Sequence, residues 1–329
     1  MAEVDTQYLK WLKNNKSFDL NMKTQTLKLK RDATHYIFFS DIHGNSKTIN
    51  LIDKAQFDFN DARLVGGGDY IDGRKYSKWV TDCMEEFVKM SGAIILKGNH
   101  EQMMLDYADG LDDEDSLWFA NGGKTTLRSF FPHQNVSHKA GKILLHHSNY
   151  YDFYQSAPIM LETPHYIFLH AGVLPVEDYA TSPKYKDYHF GNLFESLNDY
   201  DGYRMWARDE YFFYSNGSIK YFAHNKTGKT IVTGHTPTAL VQGYFDDGSF
   251  LREAPFNHCV VKELKYPNEP ARILTDNGCH SRYPTHDGNV TVLDDKGNIV
   301  AVYDYSHPDG IEWSDYVKEN EYYMANKQD

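Results

Sequence analysis

The chain has 329 residues, enough to bury a large core, and its 34 basic and 46 acidic residues give a formal net charge of −12. So acidic a surface argues against a general nucleic-acid or membrane binder, although metal ions or arginines in a site could still hold an anionic substrate. The apolar runs are short, the N-terminus carries no signal-peptide pattern, and the three cysteines are widely spaced. We therefore expect a cytoplasmic protein with no nucleic-acid or membrane partner.

Strand and helix patterns alternate over the first hundred residues. Apolar strands are predicted at 36–41, 62–69 and 92–101, and helices at 46–59 and 78–90, where apolar residues recur at helical spacing. Strands separated by helices of this length indicate parallel βαβ units. In such sheets, ligands collect at the carboxyl ends of the strands.

The chain then becomes helical and afterwards rich in strands. A helical insertion is predicted at about 102–160, with strands at 166–173, 229–236 and 271–278. We see no repeat, low-complexity stretch or linker, so we predict a single domain over residues 1–329.

The C-terminal part, about 289–329, is predicted to be a hairpin and a tail. Two apolar strands flank the turn sequence "DDKGN" within 289–306, which favours a β-hairpin. The remaining residues have the pattern of a surface helix with no evident chemistry.

Five predicted strands end in side chains that can bind metal ions. They are Asp41 and His43 in "SDIHGN", Asp69 and Asp72 in "GGDYIDG", Asn99 and His100 in "KGNHE", His170 in "FLHAG", and His235 in "VTGHT". One such ending is ordinarily a capping or surface group, but five, all with glycine nearby, are hard to attribute to chance. Since parallel strands end along one edge of a sheet, we expect these side chains to converge. Mixed carboxylate and imidazole ligands suit Mn, Fe or Zn better than Ca or Mg.

These motifs, in this order, closely resemble the calcineurin-like metallophosphoesterases, and within them the bacterial and phage-type branch of the phosphoprotein (Ser/Thr) phosphatases. That family shows D-x-H-G, G-D-x-x-D-R-G, G-N-H-E, H-A-G and G-H-T, and four of these five match in full here. The stretches "WFANGGKTTLRSF" (118–130) and "MWARDEYF" (205–212) resemble further segments of that branch, and "LTDNGCHS" resembles its D-T-G segment less closely. The resemblance implies an α/β four-layer sandwich, with two mixed β-sheets flanked by helices.

The resemblance also implies two divalent metal ions with overlapping ligands. The first ion would take Asp41, His43 and Asp69, and the second would take Asp69 as a bridge with Asn99, His170 and His235. Manganese is the expected metal, with iron or zinc as alternatives. Such a pair of ions would activate a water molecule as the nucleophile, so that no covalent phosphoenzyme is needed.

Other roles follow from the same resemblance. His100 would be the general acid that protonates the leaving group, held and kept protonated by Asp72, and Arg208 would bind phosphate oxygens. The family's Asp-Arg-Gly is replaced here by Asp72-Gly73-Arg74, which displaces the arginine by one residue. In a loop the long Arg74 side chain could swing back to the phosphate, whereas in a strand it would turn to the other face.

The favoured function is a Ser/Thr protein phosphatase, whose partner would be a phosphorylated protein or a small phosphoester. The alternative is symmetrical diadenosine tetraphosphate hydrolysis, because that relative shares the metal motifs. A third hypothesis, a non-catalytic binding scaffold with this fold, predicts eroded metal ligands, and here all of them are present. Cys279 has no visible base or partner, which favours a buried structural thiol.

Overall fold

The computed structural model describes residues 7–111, 117–134, 137–173, 200–216, 219–253, 261–280 and 287–326. The helices are α1 Gln7–Asn14, α2 Ser46–Asp58, α3 Ser77–Ser91, α4 Asn99–Ala108, α5 Leu117–Ala120, α6 Gly123–Phe130, α7 His138–His146, α8 Asn149–Gln155, α9 Tyr200–Trp206, α10 Asp209–Phe212 and α11 Trp313–Asn326, with a 3₁₀ turn at Thr238–Leu240. The strands are β1 Phe18–Asn21, β2 Thr26–Leu29, β3 His35–Phe39, β4 Arg63–Gly66, β5 Ile94–Ile95, β6 Met160–Glu162, β7 Tyr166–Leu169, β8 Phe213–Asn216, β9 Ile219–Phe222, β10 Thr230–Thr233, β11 Gly243–Tyr244, β12 Phe250–Leu251, β13 Lys262–Leu264, β14 Arg272–Leu274, β15 Asn289–Asp294, β16 Ile299–Asp304 and β17 Ile311–Glu312.

These strands form three mixed sheets. A seven-stranded sheet has the order β1-β2-β6-β7-β10-β14-β13, a six-stranded sheet has the order β17-β16-β15-β3-β4-β5, and a small sheet has the order β12-β11-β9-β8. In the six-stranded sheet β3, β4 and β5 run parallel, whereas β15 runs antiparallel to β3. In the seven-stranded sheet β7, β10 and β14 run parallel. The predicted α/β class with mixed sheets is confirmed, and the small sheet is an addition to the prediction.

The two large sheets pack face to face through aromatic rings. The ring of Phe168 on β7 lies 5.1 Å from that of Tyr36 and 5.7 Å from that of Phe38, both on β3. Side chains alternate along a strand, so Ile167 and Leu169 enter a second apolar cluster with residues of α9, α10 and the small sheet. Helices α2 and α3 cover the other face of the six-stranded sheet. The order of these layers is that of the predicted sandwich.

The predicted alternation over the first hundred residues is confirmed, with a correction at its end. The third predicted strand, 92–101, is reduced to the short β5, and the chain enters α4 at Asn99. Asn99 and His100 therefore lie in the first turn of a helix and not at the end of a strand. The Glu101 carboxylate accepts a hydrogen bond from the backbone N–H of Gly98 at 3.0 Å, which stabilises this helix start.

The five predicted ligand segments converge from two sheets, whereas the sequence predicted one shared sheet edge. Strands β3, β4 and β5 belong to the six-stranded sheet, and β7 and β10 to the seven-stranded sheet. Two hydrogen bonds join the sheets at this end: His170 Nδ1 donates to the Gly67 carbonyl at 2.9 Å, and the His235 N–H donates to the Asp41 carboxylate at 3.0 Å. Strand patterns are local, so they do not reveal which sheet a strand joins.

The region before residue 160 holds α4 to α8, and β15 and β16 form an antiparallel hairpin. Because β15 also pairs with β3, the hairpin is an integral part of the six-stranded sheet. The tail forms α11. Helix α1 and the β1–β2 hairpin are additions to the prediction, and α1 buries Tyr8, Leu9 and Leu12. None of the helices in the described segments is long and apolar enough to cross a membrane.

Candidate functional site

Five of the predicted site residues have left-handed backbone conformations. Their φ angles are 51° at Asp41, 49° at His43, 59° at Asp69, 69° at Asp72 and 66° at His235. In the described part of the chain, only two other non-glycine residues, Gln25 and Asn268, have a positive φ. Such conformations cost about 1–3 kcal/mol each and persist where surrounding contacts enforce them. The sharp turns are therefore concentrated where the predicted ligands meet.

The Asp69 carboxylate lies at the centre of the cluster. Its Oδ2 atom is 3.3 Å from His170 Nε2, 3.7 Å from His43 Nε2 and 3.8 Å from His100 Nε2. Its Oδ1 atom accepts a hydrogen bond from the His100 backbone N–H at 3.0 Å. Burial would raise the pKa of Asp69, but the surrounding imidazoles, His170 first, outweigh burial and hold the pKa well below its usual value. A carboxylate ringed by imidazoles in this way is suited to bridging two cations.

Backbone carbonyls fix the orientation of two of these imidazoles. His43 Nδ1 is 3.1 Å from the Ile71 carbonyl oxygen, and His170 Nδ1 is 2.9 Å from that of Gly67. A carbonyl oxygen only accepts hydrogen bonds, so each Nδ1 carries a proton, and each ring in its neutral form would present the lone pair of Nε2 to the cluster. This is the tautomer that a metal ligand requires.

The second half of the cluster brings polar side-chain atoms of four residues close together. His170 Nε2 lies 2.8 Å from Asn99 Oδ1, 3.1 Å from His235 Nδ1 and 3.3 Å from Asp69 Oδ2. Burial would lower the pKa of His170, yet the carboxylates around it, Asp69 first, raise the pKa to about 9. The site thus attracts positive charge. A divalent cation can take the place of the Nε2 proton among these converging oxygen and nitrogen atoms, so the residues present fit a metal ion.

Two overlapping sets of potential ligands are present. The side-chain ligand atoms within each set lie within 4.8 Å of one another: Asp41, His43 and Asp69 form one set, and Asp69, His170 and His235 form the other. Asn99 adjoins the second set. The structure therefore brings together all six predicted metal ligands, around the one carboxylate that both sets share.

Glycines permit this close packing of carboxylates against backbone. A Cβ atom on Gly98 would collide with Asp69 Oδ1, and one on Gly234 would collide with Asp41 Oδ2. Only glycine lets the backbone come this near to both carboxylates.

Glu101 is a structural centre that the sequence analysis left without a role. Its buried carboxylate accepts hydrogen bonds from the backbone N–H groups of Gly98 (3.0 Å), Asp69 (2.8 Å), Tyr70 (2.8 Å) and Ile71 (3.3 Å). Burial, followed by repulsion from Asp69, raises the pKa of Glu101 to about 7. Glu101 is part of the "GNHE" motif, but most of its hydrogen-bond partners lie in another motif. The spacing of residues within a motif does not predict such partners.

His100 and Asp72 form the predicted pair. His100 Nδ1 is 2.7 Å from Asp72 Oδ2, and Trp118 Nε1 donates to the same oxygen at 2.9 Å. Thr126 Oγ1 donates to the other oxygen of Asp72. Burial alone would lower the pKa of His100, but the Asp69 and Asp72 carboxylates outweigh it and raise the pKa to about 9. The segment "WFANGGKTTLRSF" thus supplies two donors that enclose Asp72, a role its resemblance did not specify.

The two predicted arginines have different partners. Arg208 is exposed, and its guanidinium donates to the His235 carbonyl at 2.8 Å, which places it beside the cluster. Arg74 instead donates to the carboxylate of Asp287 at 3.2 Å and to the carbonyl of Cys279 at 3.3 Å. The displaced arginine is therefore engaged in structural contacts, and its phosphate role stays a prediction.

One histidine near the cluster lies outside the predicted set. The ring centroid of His280 is 4.6 Å from that of His43 and 5.4 Å from that of His100. His280 belongs to the segment "LTDNGCHS", which resembles D-T-G, but the position of its ring depends on contacts distant in sequence. The neighbouring Cys279 is buried, as predicted.

A family model described as calcineurin-like phosphoesterase matches residues 34–258 of the chain. Comparison with curated proteins gives no significant match.

Two solved structures share the fold of this chain at low sequence identity, and a third is less similar. The cold-active protein-tyrosine phosphatase of a psychrophilic Shewanella species is 14% identical with a TM-score of 0.50, over 89% of this chain and 85% of that chain. Another structure of a cold-active protein tyrosine phosphatase is 15% identical with a TM-score of 0.50, over 85% and 82% of the two chains. A metallophosphoesterase from Sphaerobacter thermophilus is 12% identical with a TM-score of 0.43, over 89% and 93%. Identities this low bear on the fold and not on the substrate.

Replacing Glu101 should destabilise the whole site. In Glu101→Gln the amide nitrogen cannot accept hydrogen bonds, so backbone N–H groups lose their charged acceptor, and we expect unfolding to be easier by about 3 kcal/mol. Chemical denaturation measures this change. The matched control is Glu85→Gln, which breaks only the exposed ion pair with Lys89 and should cost less than about 1 kcal/mol. Equal losses in the two variants would contradict the anchoring role of Glu101.

The shared position of Asp69 predicts a specific pattern of metal loss. Asp69→Asn removes a ligand common to both sets, so both ions should be lost on dialysis, whereas Asp41→Asn should lose the ion of one set. Elemental analysis after loading with Mn²⁺ measures the ions retained per chain. Equal metal content in the two variants would argue against a bridging carboxylate.

Proposed function

Because the chain belongs to the calcineurin-like phosphoesterase family, we propose that it is a metal-dependent hydrolase of phosphomonoesters whose substrates are phosphoserine and phosphothreonine proteins. The observation that supports this most is the geometry around Asp69. Two sets of potential metal ligands share this carboxylate, and the Nε2 atom of His100 lies 3.8 Å from it. The proposed site for two cations thus adjoins a group able to donate a proton.

We propose that the site holds two divalent ions and that the metal is manganese. These ions would supply the positive charge that acidifies a water molecule and neutralises phosphate oxygens. The residues assigned to them are those of the two sets together with Asn99. Protein atoms determine how these ligands point, since the Gly67 and Ile71 carbonyls orient the rings of His170 and His43.

His100 is assigned the role of general acid. Its Nδ1 atom is held by Asp72, so its Nε2 atom is directed to the cluster and can donate a proton to the departing alkoxide. The Asp72 carboxylate favours the protonated imidazole that this step needs. Proton donation at this position matters most when the leaving group is a poor one, such as the serine or threonine alkoxide.

Arg208 is assigned the binding of phosphate oxygens. Its contact with the His235 carbonyl holds the guanidinium beside the ligand set, and its exposure leaves it reachable from solvent. A planar guanidinium can form two parallel hydrogen bonds to a phosphate. A phosphate carried by a protein requires such access from the surface.

The test of this proposal compares two substrates in the presence of Mn²⁺. A phosphothreonine peptide and diadenosine tetraphosphate are supplied at matched concentrations, and release of phosphate or of ADP is followed. Faster phosphate release from the peptide supports the protein phosphatase. Faster appearance of ADP would transfer the proposal to dinucleotide hydrolysis, and turnover of neither substrate by metal-loaded protein would reject both activities.

The proposed role of His100 predicts a dependence on the leaving group. We expect His100→Gln to slow hydrolysis of phenyl phosphate by roughly 10²–10⁴-fold, because the poor leaving group needs a proton. Hydrolysis of 2,4-dinitrophenyl phosphate, whose leaving group departs as an anion, should fall far less. The control is His147→Ala, an exposed histidine on the helical segment. Equal losses for both substrates would refute the general-acid role.

A further inference from the structure

His280 lies at the rim of the site, on the outside of two buried imidazoles. One ring nitrogen from each of His43, His100 and His280 lies within 4.8 Å of the other two. His43 and His100 are buried, whereas His280 is exposed. An exposed imidazole thus lies beside that of the proposed general acid. None of the roles assigned above uses this ring.

The His280 ring stands where a side chain at position 73 would point. A Cβ atom built on Gly73 would lie 3.3 Å from His280 Cδ2 and 3.4 Å from His43 Cβ. Gly73 also has a φ of 69°, a conformation that strains other residues. The sequence motif that this chain resembles has arginine at this position. The His280 ring therefore lies next to the space that the first atoms of such an arginine side chain would fill.

The displaced Arg74 fixes the backbone next to His280. Its Nε atom donates to the Cys279 carbonyl at 3.3 Å, and its Nη1 atom donates to the Asp287 carboxylate at 3.2 Å. Asn45 Nδ2 contacts Cys279 Sγ at 3.3 Å and donates to the Asp287 carbonyl at 2.8 Å. Arg74 thus links the peptide unit that precedes His280 to the buried Asp287 carboxylate by hydrogen bonds.

The His280 imidazole has an N–H group that can donate a hydrogen bond to a ligand. Among the described residues, His280 Nε2 donates a hydrogen bond to the Asn121 carbonyl oxygen, and at 3.4 Å this bond is long. A long hydrogen bond on an exposed ring is readily exchanged for one to a charged acceptor, because charge-assisted bonds are the stronger kind.

We propose that His280 contacts the substrate by donating a hydrogen bond to an oxygen of the phosphoryl group, in place of an arginine at position 73, and that Arg74 is a positioning residue that acts through His280. The inference rests on the proposed phosphoesterase function. Its test measures binding of inorganic phosphate, which does not require turnover, so failure of the two proposals can be told apart.

The first measurement is the affinity of the Mn²⁺-loaded protein for inorganic phosphate, by isothermal titration calorimetry. We expect His280→Ala to weaken binding about 10-fold, because a charge-assisted hydrogen bond is lost. His280→Gln retains an N–H donor and should restore most of the affinity. His147→Ala is the matched control and should bind as the wild type does. Wild-type affinity in His280→Ala, with metal content unchanged, would overturn the proposal.

The second measurement is a double-mutant cycle between Arg74 and His280. Arg74→Met should also weaken phosphate binding, and the double variant should bind no more weakly than His280→Ala, because both changes remove the same contact. Arg128→Met, on the exposed face of α6, controls for loss of a nearby positive charge. Additive losses in the cycle would show that Arg74 does not act through His280. Metal content by elemental analysis is recorded for every variant.

Discussion

The buried Glu101 carboxylate binds four backbone N–H groups, those of Gly98, Asp69, Tyr70 and Ile71. Residues 69–71 leave their strand in a tight turn, where no neighbouring strand pairs their N–H groups, and a buried N–H without an acceptor is costly. Burial raises the pKa of Glu101 to about 7, whereas the backbone hydrogen bonds lower it. The donors therefore stabilise the charged carboxylate, and the carboxylate satisfies the donors. These hydrogen bonds to Glu101 therefore stabilise the turn that presents Asp69.

The same principle, a carboxylate that replaces missing backbone partners, holds the two large sheets together at the site. The Asp41 carboxylate accepts the N–H of His235, which comes from the other sheet. Both residues have left-handed φ angles, as does Asp69. The conformational cost of such residues, about 1–3 kcal/mol each, is offset by charge-assisted hydrogen bonds worth roughly 1.5–3 kcal/mol. Cations that bind these carboxylates would stabilise the folded chain in addition.

The sequence predicted the parts of the site that depend on local pattern. Asp41, Asp69 and His170 each follow an apolar strand, so their type and approximate position could be predicted, as could the α/β class. The roles of Glu101 and His280 could not, because their partners lie far away in sequence and no periodicity encodes such pairings. For the same reason the motifs did not reveal that two sheets, and not one, deliver the ligands. The sequence left open whether the displaced arginine returns to the phosphate, and Asp287, far along the chain, now pairs with it.

The helical segment after α4 determines the environment of the proposed acid. Trp118 and Thr126 donate to Asp72, yet burial still raises the pKa of this carboxyl above its usual value. Because both residues are buried, the field of Asp72 on the His100 imidazole is less screened than it would be in water. Removing the Trp118 ring would both free a lone pair of Asp72 and admit solvent, and these two changes act in opposite directions on the charge of Asp72. The segment therefore acts on the proposed proton donor through the hydrogen bonding and solvation of one carboxylate, that of Asp72.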